Sequence, residues 1–183
     1  MREIIFSSFD PSFTSWGNAK LRYKPDVNEL EVLDLVLIPT QKRSGKTVRV
    51  SSDNLRRASE LYEAMVLHTK GSAVAFTEVP SGGQSASAVY SFGIVVGLLA
   101  ACPIPLIQIQ QHETKLAAVG TKTASKEEMI EWATESFPDA PWLYQGKRLL
   151  KANEHLADAV AVGHAGIRTD DFKRLLAMAR AAA

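Results

Sequence analysis

Three acidic residues and one histidine stand where folding alone gives little reason to put them. Asp10 closes the apolar run Ile4-Ile5-Phe6-Ser7-Ser8-Phe9, and Glu78 closes Ala73-Val74-Ala75-Phe76-Thr77. Asp158 lies inside Leu156-Ala157-Asp158-Ala159-Val160-Ala161-Val162, where every other residue is apolar. A carboxylate is rarely buried unless it is paired or bound to metal. His155 precedes Asp158 by three positions, so on a helix both side chains leave from one face. Carboxylates from two strand ends and a helix can converge on one pocket, and hard cations such as Mg²⁺ or Mn²⁺ take oxygen ligands of that kind. Each residue also has an ordinary reading. Asp10 before Pro11 can be a turn-former, Glu78 can simply face solvent, Asp158 can pair with a buried arginine, and a lone His155 can be structural. Their joint occurrence, in this order of elements, carries the argument.

The elements that must position them follow from periodicity and punctuation. The first apolar run reads as a buried strand that stops at Asp10-Pro11, since proline disfavours helix before it and cannot donate to a ladder. Residues 13–23 and 30–38 are candidate strands of a meander, with Lys24-Pro25-Asp26 as the turn. A polar, basic loop over 41–46 follows, and Ser52 or Asp53 is expected to cap a helix carrying Leu55, Ala58, Leu61, Tyr62, Met65 and Val66 at helical spacing. Residues 73–77 read as a central strand, Pro80-Ser81-Gly82-Gly83 as a loop, residues 84–101 as a helix and 106–109 as a strand. Ser125-Lys126-Glu127-Glu128 has the form of a capping box, opening a helix that ends near Phe137-Pro138. Two last helices are expected over 146–163 and 169–181. The order predicts one α/β domain over 1–183 with a mixed sheet.

The totals permit this and announce nothing. A chain of 183 residues, 46% hydrophobic and 22% charged, can bury a substantial core. With a net charge of +1, any phosphate binding must come from locally clustered Lys and Arg. The single Cys102, in an apolar run before Pro103, is expected to be buried and inert. The N-terminal apolar stretch is too short for a signal peptide, and the longest apolar run, 94–102, falls well short of the roughly 20 residues that cross a bilayer. A soluble protein of a reducing compartment is expected.

Several segments resemble, in order, the motifs of RuvC-type Holliday junction resolvases. Phe9-Asp10-Pro11-Ser12-Phe13-Thr14-Ser15-Trp16-Gly17 resembles the opening motif, and Phe76-Thr77-Glu78-Val79 the second acidic motif. Ser87-Ala88-Val89-Tyr90-Ser91-Phe92-Gly93-Ile94-Val95-Val96-Gly97 resembles the glycine-containing helix that follows. His112-Glu113-Thr114-Lys115-Leu116-Ala117-Ala118-Val119-Gly120 and Ala124-Ser125-Lys126-Glu127-Glu128 resemble the lysine-bearing stretch. Asn153-Glu154-His155-Leu156-Ala157-Asp158-Ala159 resembles the last motif, especially in phage-associated members.

The resemblance implies an RNase H-like, mixed five-stranded sheet, an antiparallel meander and then parallel strands, flanked by helices. It implies a homodimer that cleaves four-way DNA junctions with divalent metal; the oxygen-rich ligands favour Mg²⁺ or Mn²⁺, and two ions to a site are expected for phosphodiester hydrolysis. Carried over by position, Asp10, Glu78 and Asp158 are metal-binding catalytic carboxylates. His155 takes a position that is Asp in many members and His in some. Lys115 and Lys126 fall where the family places basic residues. Lys122 and the loop residues Lys42, Arg43 and Lys46, with Arg49, Arg56 and Arg57, are further candidates for DNA contact. The expected setting is recombination or repair in a bacterial cytoplasm, or that of a phage-infected host. There are departures: residues 23–50 are long for the meander, the loop after Glu78 carries Pro80-Ser81-Gly82-Gly83 where some members place an aromatic, and the helix from about 169 lies beyond the resemblance. Forks, flaps and RNA–DNA hybrids are rival substrates, and a non-catalytic branched-DNA-binding protein is a rival class. An actin-like ATPase would need two duplicated halves, for which the chain is too short.

Overall fold

The structure, a computed structural model, describes residues 3–46, 48–80 and 85–181. Five strands form one sheet: β1 (Ile4–Asp10), β2 (Ser15–Lys24), β3 (Glu29–Pro39), β4 (Ala75–Glu78) and β5 (Leu106–Ile109). Their spatial order is β3-β2-β1-β4-β5, antiparallel across the first three and parallel from β1 to β5. Among the described residues six helices flank it: α1 (Val50–His68), α2 (Ala86–Ala100), α3 (Gln111–Val119), α4 (Lys126–Ser136), α5 (Asn153–Gly166) and α6 (Asp170–Ala181). The mixed sheet and the chain order of its five strands are those expected from the sequence.

The pleat of β1, the central strand, distributes the core. Successive side chains point to opposite faces. Phe6 and Ser8 meet α5, where Ser8 Oγ donates to Ala159 O at 2.7 Å. Ser7 and Phe9 face the other way. Ser7 Oγ donates to His68 O at 3.2 Å, at the end of α1, and Phe9 packs with Leu61, Met65, Val95 and Leu99 of α1 and α2. The α5 face is the larger core and includes Phe6, Leu21, Phe76, Leu156, Val160 and Phe172. Phe172 brings α6 into it, with its ring 5.6 Å from Phe76 and 5.9 Å from Tyr23.

Helix α5 lies close against the sheet because small residues face it. A Cβ on Gly166 would sit 2.5 Å from the Phe76 ring, and one on Gly163 would sit 2.9 Å from Ser8 Oγ. Most constraining is Gly17, whose added Cβ would lie 2.1 Å from the backbone oxygen of His155. Gly17 pairs with Asp10 in the β1–β2 ladder, so the same close approach sets the helix against the end of the central strand.

Several local expectations need correction. Ser52 and Asp53 do not cap α1. The helix begins at Val50 with Arg49 at the cap, and Asp53 is turned inside the first turn to bind Arg56 at 2.7 Å and the Arg43 N–H at 3.1 Å. The helix expected from 146 begins only at Asn153, because Tyr144–Gln145 (β6) and Arg148–Leu149 (β7) form a tight hairpin around Gly146 at φ 62°. Asn153 ties that hairpin down, its side chain accepting from Leu143 N at 2.9 Å and donating to Leu143 O at 2.8 Å. Helix α2 starts at Ala86, capped by the Ser85 hydroxyl. The expected start at Gln84 and most of the expected loop, residues 81–83, lie outside the described residues. The capping box at Ser125 is present as read. Cys102 is half-buried against the α1–α2 cluster, and burial raises its thiol pKa. Among the described residues, no helix is long and apolar enough to cross a membrane.

Candidate active site

The alternation that builds the core also aims the carboxylates. Along β1 and β4, Ser8 is in register with Phe76, and both side chains face α5. Two residues further on each strand stand Asp10 and Glu78, on that same face at the strand ends. Helix α5 carries His155 and Asp158 across from them. The structure therefore brings together the four residues singled out in the sequence.

Their contacts are specific. His155 Nδ1 lies 2.8 Å from Asp10 Oδ2, and each side chain is 24% exposed. Asp10 is the first cause of a raised His155 pKa, opposed by burial, with Glu154 and Asp158 adding to the rise. Glu154 sits on the other side of the ring, its Oε1 3.6 Å from Nε2. Asp158 is pushed up to about 7, first by burial and then by the charges of Asp10 and Glu78. Glu78 is raised by burial and by Asp10, while a hydrogen bond from Thr114 and the charge of Lys115 pull it down. Three carboxylates within one another's field, in a half-buried place, are electrostatically costly without a cation among them.

Beside this constellation is a cleft of about 250 Å³, lined by Asp10, Pro11, Glu78, Pro80, Gln110 and Gln111 among others. Among the described residues, no three His, Cys, Asp or Glu side chains are arranged so as to hold a metal ion as they stand. The His155 ring is engaged with Asp10 instead. The chemistry of the donor set still fits a hard divalent cation, because the donors are carboxylate oxygens whose mutual repulsion such an ion relieves.

The predicted basic residues divide into two groups. Lys115 is the predicted cation whose charge reaches both Glu78 and Asp158, and its Nζ donates to Ala124 O at 2.8 Å, which anchors it before α4. Lys126 pairs with Glu154 at 3.1 Å, next to the His155 ring. Lys122 is exposed on the α3–α4 connection. Lys42, Arg43 and Lys46 are exposed in the β3–α1 loop, and Lys42 and Arg43 border cavities at the start of α1 rather than the carboxylate cleft.

Sequence reasoning missed three contributors. Thr114 is 1% exposed and hydrogen-bonds Glu78 from α3, a helix the periodicity did not reveal. Glu154 links His155 to Lys126. Gly17 was visible only as part of a motif, and its reason is the approach of the His155 backbone.

The chain matches no protein-family model and no curated sequence. Its likeness is to solved structures. RuvC of Thermus thermophilus in complex with Holliday junction substrate superimposes with a TM-score of 0.65 at 18% identity, covering 88% of this chain and 92% of that one. Another structure of Thermus thermophilus RuvC gives a TM-score of 0.57 at 16% identity, over 88% and 92% of the two chains. The fowlpox virus resolvase, in a complex with Holliday junction DNA, gives 0.53 at 12% identity, over 90% of this chain and 97% of that one. The chain has the RNase H-like fold that these Holliday junction resolvases share.

Proposed function

We propose that the chain is a divalent-metal-dependent endonuclease that resolves four-way DNA junctions. The observation that carries this is the convergence of Asp10, Glu78, Asp158 and His155 at the ends of β1 and β4, on the face covered by α5. The fold likeness to resolvases bound to junction DNA supports the choice of substrate. Asp10, Glu78 and Asp158 would hold Mg²⁺ or Mn²⁺, two ions to a site. Bound there, such ions lower the pKa of water and neutralise charge on a leaving oxygen. The reaction is in-line hydrolysis: a water oxygen bonds to phosphorus, the bond to the 3′ oxygen breaks, and a 5′ phosphate and a 3′ hydroxyl result.

The chain's own groups prepare that reaction. Thr114 orients Glu78 by its hydrogen bond, and Lys115 lowers the cost of charge on Glu78 and Asp158. Asp10 fixes the His155 ring through Nδ1, and Nε2 lies 3.6 Å from Glu154 Oε1. Lys115, Lys122 and Lys126 supply phosphate contacts around the cleft.

A homodimer suits a two-fold junction and paired nicks. It is supported by α2, of which only Val95 and Leu99 are buried, while Val89 and Val96 are 58% and 42% exposed and a Cβ on Gly93 or Gly97 would meet nothing. Val89, Gly93, Val96 and Gly97 share one apolar helical face that is uncovered among the described residues.

The test is side-by-side cleavage of a four-way junction, a Y-fork and an RNA–DNA hybrid duplex with Mg²⁺ or Mn²⁺. Preferred paired nicking of the junction is expected. Preferred cleavage of the fork or the hybrid would reassign the substrate, and no cleavage of any would remove the enzymatic reading.

A further inference from the structure

A cavity of about 910 Å³ lies apart from the carboxylate cleft. It lies between the β1–β2 turn, the loop before α1 and the start of α2. Three cations border it, Lys42, Arg49 and Arg57, together with Phe13, Ser51 and Tyr90. Lys42 and Arg49 are exposed, but Arg57 is only 5% exposed.

Arg57 is a buried charge with neutral partners. Its Nε donates to Thr40 Oγ1 at 3.1 Å and its Nη2 to Phe13 O at 2.9 Å, while its guanidinium stacks 4.0 Å over the Phe13 ring. Among the described residues, neither Arg57 nor Lys42 nor Arg49 forms an ion pair, and Arg57 Nη1 makes no hydrogen bond. The nearby carboxylate, Asp53, gives its hydrogen bonds to Arg56 and the Arg43 N–H and reaches Arg57 only through its charge. Arg56, by contrast, has both Asp53 and Glu60. Buried charges in folded proteins are ordinarily paired. A structural guanidinium holding a carbonyl and a hydroxyl does not explain two more unpaired cations at the same cavity.

The start of α1 adds to the same field. Arg49, at its N-cap, offers no side-chain acceptor to the first-turn N–H groups of Val50, Ser51 and Ser52. Such N–H groups at the positive end of a long helix favour an anion. The two ring side chains give the anion a chemical context: Phe13 is already stacked under Arg57, and Tyr90, 55% exposed, stands across the cavity on α2. Cations with an open aromatic face suit the backbone and an unstacked base of a single strand.

We infer that this cavity holds a backbone phosphate of a DNA strand, between Arg57, Arg49, Lys42 and the start of α1, with Tyr90 beside the neighbouring base. The inference deepens the nuclease reading and rests on it for the identity of the strand. Phe13 is three residues past Asp10, and α2 follows Glu78 along the chain, so the cavity and the carboxylates are built on adjoining segments.

The experiment is a titration of the ¹⁵N-labelled full chain, without divalent metal, using a 5′-phosphorylated thymidylate tetranucleotide and, separately, inorganic phosphate. The tetranucleotide is expected to shift the amides of Val50, Ser51 and Ser52. In the double variant Lys42→Gln/Arg49→Gln, confirmed folded by an unchanged melting temperature, its affinity should fall about tenfold, and the slope of log affinity against log salt should drop by about one. Shifts elsewhere only, full affinity in the double variant, or a response to inorganic phosphate alone (an adventitious ion only) would overturn the site. Failure to cleave branched DNA removes the nuclease reading and leaves the amide shifts in place, so the two failures are separable.

Discussion

At the scale of single residues, the centre is a set of carboxylates held by neutral or cationic neighbours, and each neighbour can be tested alone. Thr114 donates to Glu78 from a fully buried position. Thr114→Val keeps the shape and removes the donor, so the metal concentration for half-maximal cleavage should rise by about 10- to 100-fold, with Thr114→Ser restoring it. A metal titration of cleavage checks this, and an unchanged midpoint in Thr114→Val would show that Glu78 is not oriented by it. Gly17→Ala must force the His155 backbone away from β2, since the added Cβ would lie 2.1 Å from His155 O. Destabilisation of about 1–3 kcal/mol in urea is expected, with a larger loss of cleavage than of junction binding. The four central residues were legible because acidic groups at the ends or inside of apolar runs are conspicuous. Thr114 and Glu154 were not, because a threonine and a glutamate on an amphipathic surface have no such contrast until tertiary packing places them.

At the scale of elements, α5 is the part on which both core and chemistry depend. Its register is held by Ser8, which is fully buried and donates to Ala159 O at 2.7 Å. Ser8→Ala should cost about 1 kcal/mol by chemical denaturation and weaken cleavage by shifting the helix. Near the end of α5, His164 is held down to about 4, chiefly by burial and then by the Arg168 charge. Its folded value lies below its ordinary 6.5, so the unfolded chain takes up the proton first as pH falls. The stability from neutral His164 is complete above about 6.5 and is lost as pH drops towards 4. Urea midpoints at pH 7 and pH 4.5 should therefore fall further for the parent than for His164→Phe, and an equal fall in both would contradict the assignment. The strands and their order were legible from apolar runs and punctuation. The starts of α1 and α5 were not. At α1 the expected capping residue Asp53 is claimed by Arg56, and at α5 a two-residue hairpin around Gly146 takes up chain that reads as helical.

At the scale of the molecule, the proposed dimer rests on the exposed apolar face of α2. Val96→Glu places a charge on that face without entering the core, as Val96 is 42% exposed. Sedimentation should show the parent as a dimer at micromolar concentration and the variant as a monomer, with paired nicks replaced by single ones. A monomeric parent would contradict the paired-nick account. The central claim is tested most directly by metal-dependent cleavage of a synthetic four-way junction, comparing the parent with Asp10→Asn. The account predicts that the parent cuts with Mg²⁺ or Mn²⁺ and not in chelator, while Asp10→Asn binds the junction and does not cut. Full cleavage by Asp10→Asn, or cleavage by the parent in chelator, would contradict it.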